Sequence, residues 1–419
     1  MIRQSLSVAA SLLAFTVVGC SSLFPTGGGG GPDTTPPAPT GCAAATTKHV
    51  APGGYYVAGN TVCTSVGQPH LFHGVDRPSL EWSPTGQNIS AADFQLMATG
   101  WNANVVRIAL NQDFWLADSP YANAGYPALV DSAVKWAEQA GMDVILDLHW
   151  SDAGTLGGCN GGCQELMADA NSITFWSQLA AVYKNDGRVL FELYNEPHDV
   201  TWATWLSGGP TSEGWTAAGM QQLYDAVRGA QADNLVIAGG LQYAYDLSGV
   251  PDNRIKGYNI LYATHPYGGA PEKAPARWDS GWGFLTRTDP VIVTEFGDGA
   301  DCGTDTAIQT YVSSLISYAD LHLASWTAWA WFPGGCQFPA IIGDWQGTPT
   351  SPAGTVVQAA LLGYSQPAPG GKRDGGTTAA GGAGGALGGG GAGGIPSQDG
   401  GAATGAAGAA GRGSAGAAG

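Results

Sequence analysis

Phe191-Glu192-Leu193-Tyr194-Asn195-Glu196-Pro197 is an apolar run that ends in a carboxamide and a carboxylate. With Val189 and Leu190 ahead of it, the stretch has the near-continuous hydrophobicity of a parallel strand covered on both faces. Polar groups gathered where such a strand stops are placed where a parallel α/β barrel keeps its active site. For this stretch alone, a strand-terminal Glu that caps the following helix is the structural alternative.

A second run, Val291-Ile292-Val293-Thr294-Glu295-Phe296-Gly297, again delivers one carboxylate at a strand end, with a glycine beyond it for the turn. Glu196 and Glu295 together are the pair that glycoside hydrolysis needs. One carboxyl protonates the leaving oxygen while the other attacks the anomeric carbon or activates water.

Outward from these two runs, apolar strands alternate with amphipathic helices, the pattern of βα units around a parallel sheet. Strands are expected over 71–75, 104–110, 142–150, 189–194, 235–240, 260–267, 291–297 and 325–331. Helices are expected over 91–98, 127–140, 173–184, 215–231, 308–321 and 356–362. The fold class is therefore α/β, a (β/α)8 TIM barrel. Residues 55–72, with turn signals at Gly59-Asn60 and Gly67-Gln68, read as a small N-terminal hairpin plugging the barrel floor.

Further candidates lie on these strands. Arg107 interrupts Val105, Val106, Ile108 and Ala109, and an arginine inside a barrel must meet a carboxylate. Glu295 is the expected partner, with a structural ion pair away from the site as the alternative. His149 closes the third strand, His265 and Tyr267 close the sixth, and Trp329 and Trp331 are expected on one face of the eighth. Trp82, Trp115, Trp150 and Trp282 are expected beyond strand ends, as a row of indoles along an open groove.

Sixteen basic against thirty-three acidic residues give a net charge of -17, which argues against a nucleic-acid partner. Only 12% of residues are charged, while Trp and Tyr number fifteen each, rings that suit sugar stacking as well as core packing. The chain is long enough for one barrel of about 250 residues with tails left over. No cofactor and no metal are called for, and a monomer suffices.

The segment 1–20 reads as a signal peptide: a charge at Arg3, then apolar residues 6–18, too few to span a bilayer. Val17-Val18-Gly19-Cys20 resembles the lipobox of bacterial lipoproteins, with ordinary cleavage nearby as the alternative. Export follows either way, as a secreted protein or as one held to a membrane only through a lipid on Cys20. Seven cysteines less Cys20 leave six. Cys159 with Cys163 is the local pair, Cys302 with Cys336 the expected bridge between neighbouring loops, and Cys42 with Cys63 remains; zinc is the rival reading of the short pair. Segments 21–41 and 365–419 are Gly/Pro- and Gly/Ala-rich and are expected not to fold, leaving 42–364 as the catalytic domain.

Taken together, Arg107, the Asp-Leu-His149-Trp run, Tyr-Asn195-Glu196-Pro, His265-Pro-Tyr267, Thr-Glu295-Phe-Gly and Trp329-Ala-Trp331 resemble glycoside hydrolase family 5, the cellulase family, from about Tyr55 to Gly363. The resemblance implies Glu196 as acid/base and Glu295 as nucleophile, with retention through a covalent glycosyl-enzyme. It gives Asn195 to the sugar 2-hydroxyl, His149 and His265 to the hydrogen-bond network, and Trp329, ahead of a cis peptide, to the sugar-stacking floor. The substrate expected is β-1,4-glucan cut internally. A β-mannanase is the alternative within the family, and a non-catalytic polysaccharide-binding lipoprotein the alternative outside it.

Overall fold

The computed structural model describes residues 37–45, 49–297, 306–335 and 339–364. A two-stranded antiparallel hairpin, β1 (Tyr55–Ala58) and β2 (Thr61–Thr64), precedes the barrel. Eight parallel strands then close on themselves: β3 (His73–Arg77), β4 (Val105–Asn111), β5 (Asp143–Trp150), β6 (Val189–Glu192), β9 (Val236–Gly239), β10 (Ile260–Thr264), β11 (Val291–Val293) and β12 (Ser325–Ala328). Helices α1 (Ala91–Trp101), α3 (Tyr126–Gln139), α4 (Ala170–Tyr183), α6 (Met220–Gly229), α8 (Thr306–Leu321) and α9 (Ala353–Gly363) follow the strands, with short turns α2 (Gln112–Trp115), α5 (Trp202–Ser207) and α7 (Trp278–Gly281). This is the expected (β/α)8 barrel.

Local chemistry sets the boundaries. Helix α4 begins three residues earlier than its apolar period indicates, because the Asp169 carboxylate accepts from the Asn171 and Ser172 amides while Ser172 closes a capping box. The helix expected from residue 215 starts only at Met220. Thr216–Ala217 (β8) instead pairs with Gly209–Pro210 (β7), and Gln222 caps the helix by accepting from the Gly219 amide. The strands stop earlier than their hydrophobicity suggests. β6 ends at Glu192 and β11 at Val293, so Asn195, Glu196 and Glu295 stand on the loops that leave the ladder.

Strand alternation sorts the core in two. Val106, Ile108, Leu110, Val144, Leu146 and Phe191 point outward to the helices, which bury Trp101, Trp176 and Trp205. Val105, Ile145, Leu190, Leu261 and Ile292 point inward and pack with Tyr55, Val62 and Phe72 of the hairpin segment. The hairpin therefore plugs the floor as expected. A Cys42–Cys63 disulfide ties it to the preceding chain, with a Cα separation of 5.7 Å. Cys159 and Cys163 are also bridged, at the same Cα separation. Cys302, Cys336, the signal segment with Cys20 and the tail from 365 lie outside the described residues.

Candidate active site

Two residues along from the apolar floor, the same inward faces turn polar. Arg107, fully buried, is the hub of that layer. Its Nη1 lies 2.8 Å from Glu295 Oε1, its Nε 2.5 Å from Glu192 Oε2, and its Nη2 2.7 Å from Asn195 Oδ1 and 3.0 Å from Asp147 Oδ2. Asp76 stands 3.6 Å from Nη1. The expected Arg107–Glu295 pair is present, but Glu192, Asp147 and Asp76 share the same guanidinium. Burial pushes Glu192 and Asp147 up to about 7 and Asp76 well above the carboxylate range, with Arg107 pulling each back. One cation therefore does not face four full negative charges near neutral pH.

The two glutamates of the sequence motifs meet at the mouth. One oxygen of Glu196, one of Glu295 and one nitrogen of His265 all lie within 4.8 Å of one another. The Tyr267 hydroxyl donates to Glu295 Oε2 at 2.7 Å, so both oxygens of Glu295 are held, one by Arg107 and one by Tyr267. Glu196 is held differently, by His265 Nδ1 at 3.0 Å from its Oε1. Burial raises the Glu196 carboxyl, against the pull of His149, Lys273, Arg107 and His198. Three such donors could also hold a cation. Here, however, Arg107, Tyr267 and Thr294 already occupy Glu295 and the far nitrogen of His265.

The histidines are neutral parts of the frame. Burial lowers His149 to about 4 and His265 to about 3. His149 Nδ1 sits 2.7 Å from Asp147 Oδ2, and its ring stacks on Trp329 with centroids 5.3 Å apart and planes 10° from parallel. Asn195 gives one N–H to Gln164 Oε1 at 2.9 Å, and Gln164 Nε2 donates to the Glu196 carbonyl at 3.1 Å. The peptide bond Trp329-Ala330 is cis, as expected. All eight candidate residues, Arg107, His149, Asn195, Glu196, His265, Tyr267, Glu295 and Trp329, thus gather at one end of the barrel.

Part of the aromatic reading fails. Trp331 does not share a face with Trp329: it is fully buried beside Trp101, centroids 5.0 Å apart, and its indole N–H donates to Asp93 at 2.7 Å. Trp282 is also buried, edge-on to Tyr318, and Trp115 packs on Phe175 while bonding Gln178. Strand-end position alone does not say whether a ring turns to the groove or the helices: Trp282 and Trp331 fill the core, while Trp115, like Trp82 against Phe332, is half-buried. Trp82 and Trp150 remain half-buried.

The loop after β9 brings Tyr243 to the site. Its ring is 45% exposed and stacks on His198, two residues past Glu196, with centroids 4.2 Å apart. Gln242, Tyr243 and Ala244 all adopt left-handed backbone, φ 56°, 58° and 57°. Each costs about 1–2 kcal/mol, so the surrounding contacts must enforce this turn. A Gln-Tyr-Ala sequence gives no glycine signal for such a turn.

Comparison with known proteins bears on the fold and the family. The chain resembles Endoglucanase MaCel5A of Microbulbifer sp. (strain ALW1), 23% identical over 286 residues, covering 66% of this chain and 51% of that protein. It resembles Endoglucanase CelA of Streptomyces lividans at 26% identity over 334 residues, covering 76% and 65%. The chain spans about half the length of the first of these relatives. Among solved structures, the β-glucanase SdGluc5_26A of Saccharophagus degradans in complex with cellotetraose superposes with a TM-score of 0.61 at 24% identity, covering 78% of this chain and 97% of that one. A hyperthermophilic endocellulase from Pyrococcus horikoshii gives 0.60 at 18% identity, covering 74% and 99%. Likenesses at these identities establish the barrel fold. The profile of Cellulase (glycosyl hydrolase family 5) matches residues 63–335, well over half of the sequence, and the chain belongs to that family.

Proposed function

We propose that this chain is an endo-acting β-glucan hydrolase that cuts β-1,4-glucan with retention of anomeric configuration. The observation that carries the reading is the Glu196–Glu295 pair, with oxygens within 4.8 Å and opposite surroundings. Retaining pairs stand about 5–5.5 Å apart, whereas inverting pairs leave about 6.5–9.5 Å for a water. Arg107 and Tyr267 hold both oxygens of Glu295 by donated hydrogen bonds, the setting of a fixed nucleophile. Burial favours the protonated form of Glu196, the setting of an acid.

In this reading Glu295 attacks the anomeric carbon while Glu196 protonates the departing oxygen. Glu196 then takes a proton from the water that releases the sugar. Asn195, fixed by Arg107 and Gln164, meets the 2-hydroxyl, and Trp329 on His149 forms the stacking floor. Tyr243 on His198 offers a second platform beside Glu196, suited to the leaving chain. The unit 42–364 acts as a monomeric catalytic domain, carried outside the cell by the N-terminal segment, with or without a lipid on Cys20.

Azide tests the roles. With Glu196→Ala and a substrate bearing a good leaving group, azide rescues turnover and gives the β-glycosyl azide. With Glu295→Ala it gives the α-glycosyl azide by one inversion. Exchanged products would exchange the roles. A panel of soluble β-glucans and β-mannans decides the substrate, and no cleavage of any of them would favour a binding protein.

A further inference from the structure

Behind Glu196 runs a line of buried groups. His265 Nδ1 is 3.0 Å from Glu196 Oε1, and its Nε2 is 2.9 Å from Thr294 Oγ1. Thr294 Oγ1 is 2.7 Å from Glu192 Oε1. His265, Thr294 and Glu192 are all fully buried. We propose that Glu192, Thr294 and His265 form a relay holding one acid proton, which Arg107 biases toward Glu196, so that Thr294 and Glu192 are positioning residues for the acid step. The inference rests on the acid/base assignment of Glu196.

The argument is one of counting hydrogens. A threonine hydroxyl has one proton and donates one way only, and a neutral imidazole carries one N–H. If Thr294 donates to Glu192, its oxygen accepts from Nε2–H. The bare Nδ1 must then accept, and Glu196 supplies the O–H. If Thr294 donates to Nε2 instead, Nδ1–H donates to a Glu196 carboxylate, and Glu192 must be the protonated acid. In each register every donor meets an acceptor, and one carboxyl proton is present.

The registers interconvert by three hops: Glu192 O–H to Thr294 Oγ1, Thr294 O–H to Nε2, and Nδ1–H to Glu196 Oε1. One O–H bond is lost at Glu192 and one formed at Glu196; the imidazole changes tautomer and stays neutral. Arg107 Nε, 2.5 Å from Glu192 Oε2, opposes the burial that raises Glu192 to about 7 and so favours the register with the proton on Glu196. Burial keeps His265 neutral, as the relay requires. Other titratable and charged groups face the line: His149, Lys273, Arg107 and His198 act on Glu196, and Arg107 and Asp147 on Glu192. Glu295, Arg107, Lys273 and His149 act on His265.

The pH profile of kcat/KM reads the relay, because its alkaline limb reports the acid in the free enzyme. Thr294→Val cannot accept from Nε2, so the Nδ1–H tautomer is favoured and the Glu196 carboxylate gains a donor. The alkaline limb should move about one unit to lower pH, a tenfold loss on that side, and Thr294→Ser should restore it. A Thr294→Val enzyme with reduced kcat and an unmoved limb would overturn the relay. Should that variant not fold, 15N spectra of histidine-labelled wild type decide: His265, assigned by its loss in His265→Gln, should show the Nε2–H tautomer below the limb, and an Nδ1–H signal refutes it. Glu196→Gln separates the two ideas. If it keeps full turnover, the acid/base reading fails; if it abolishes turnover while Thr294→Val leaves the limb in place, the relay alone fails.

Discussion

At the floor of the barrel Val105, Ile145, Leu190 and Ile292 pack with Tyr55, Val62 and Phe72; two residues further along the same four strands stand Arg107, Asp147, Glu192 and Thr294. One step of the pleat thus separates an oily layer from a charged one. The floor asks only for volume and shape, so its strength is that of removing apolar surface from water. The charged layer asks for partners, because each buried carboxylate needs Arg107 or a donor to be tolerable. Removing a floor residue leaves a hole, and removing a mouth residue leaves its neighbours stranded.

Arg107→Met tests the stranding most severely. It leaves Glu192, Asp147 and Glu295 without their shared cation, and breaking a buried pair of this kind costs about 3–5 kcal/mol. Chemical denaturation should show that loss, together with a collapse of activity in the molecules still folded. Phe72→Ala is the matching cut at the floor and should cost about 3–4 kcal/mol. Its kcat at a temperature where the protein remains folded should equal wild type, and a large drop in kcat would break the separation of the two layers. Opening the Cys42–Cys63 bridge, which closes 21 residues of sequence, should cost about 3 kcal/mol with kcat again untouched, measured on a Cys42→Ser/Cys63→Ser double variant.

The smallest effect is a matter of pH. Burial lowers His73, at the floor edge between Tyr364 and Asp320, to about 3. The unfolded chain therefore takes up a proton at this residue before the folded one does. Its contribution is intact above the unfolded value near 6.5 and is lost as the pH falls toward 3, amounting to about 2 kcal/mol at pH 5. His73→Gln should lose less stability than wild type between pH 7 and 5, and parallel curves for the two proteins would refute this. At the mouth the lowered His149 and His265 act in the same direction. The raised Asp147 and Glu192 act in the opposite one, with stability present at low pH and lost as pH rises to about 7. Substitutions there should not give so plain a slope.

The same contrast explains what could be read from the sequence. Eight strands, the hairpin floor and the eight candidate residues that gather at the mouth are legible because period-two hydrophobicity and a polar strand end are local signals. Glu192 lies inside the decisive motif yet carries no signal of its own, since its neighbours Phe191 and Leu193 make it look like part of an apolar run; its meaning depends on Arg107, 85 residues earlier. Asp76 and Asp147 were missed in the same way. Trp282 reads as a groove ring and Trp331 as sharing a face with Trp329, because an indole carries the same letter whether it stacks on a sugar or fills a core. Tyr243 was invisible because three left-handed residues in a row have no sequence signature when none of them is glycine.

The floor has one more property. A cavity of about 440 Å³ there is lined by Pro39, near the start of the described chain, and by Tyr364, its last described residue, together with His73 and Ser325 at the beginnings of two strands. Entry and exit of the catalytic unit therefore lie together, behind the barrel. A solid support coupled at Pro39 or Tyr364 would leave the mouth pointing away from it and open to a long polymer. A resin carrying the protein through a cysteine substituted at Pro39 or Tyr364 should lose little of its rate on a soluble glucan, whereas coupling through Lys273, whose ammonium donates to the His265 carbonyl beside the mouth, should block it.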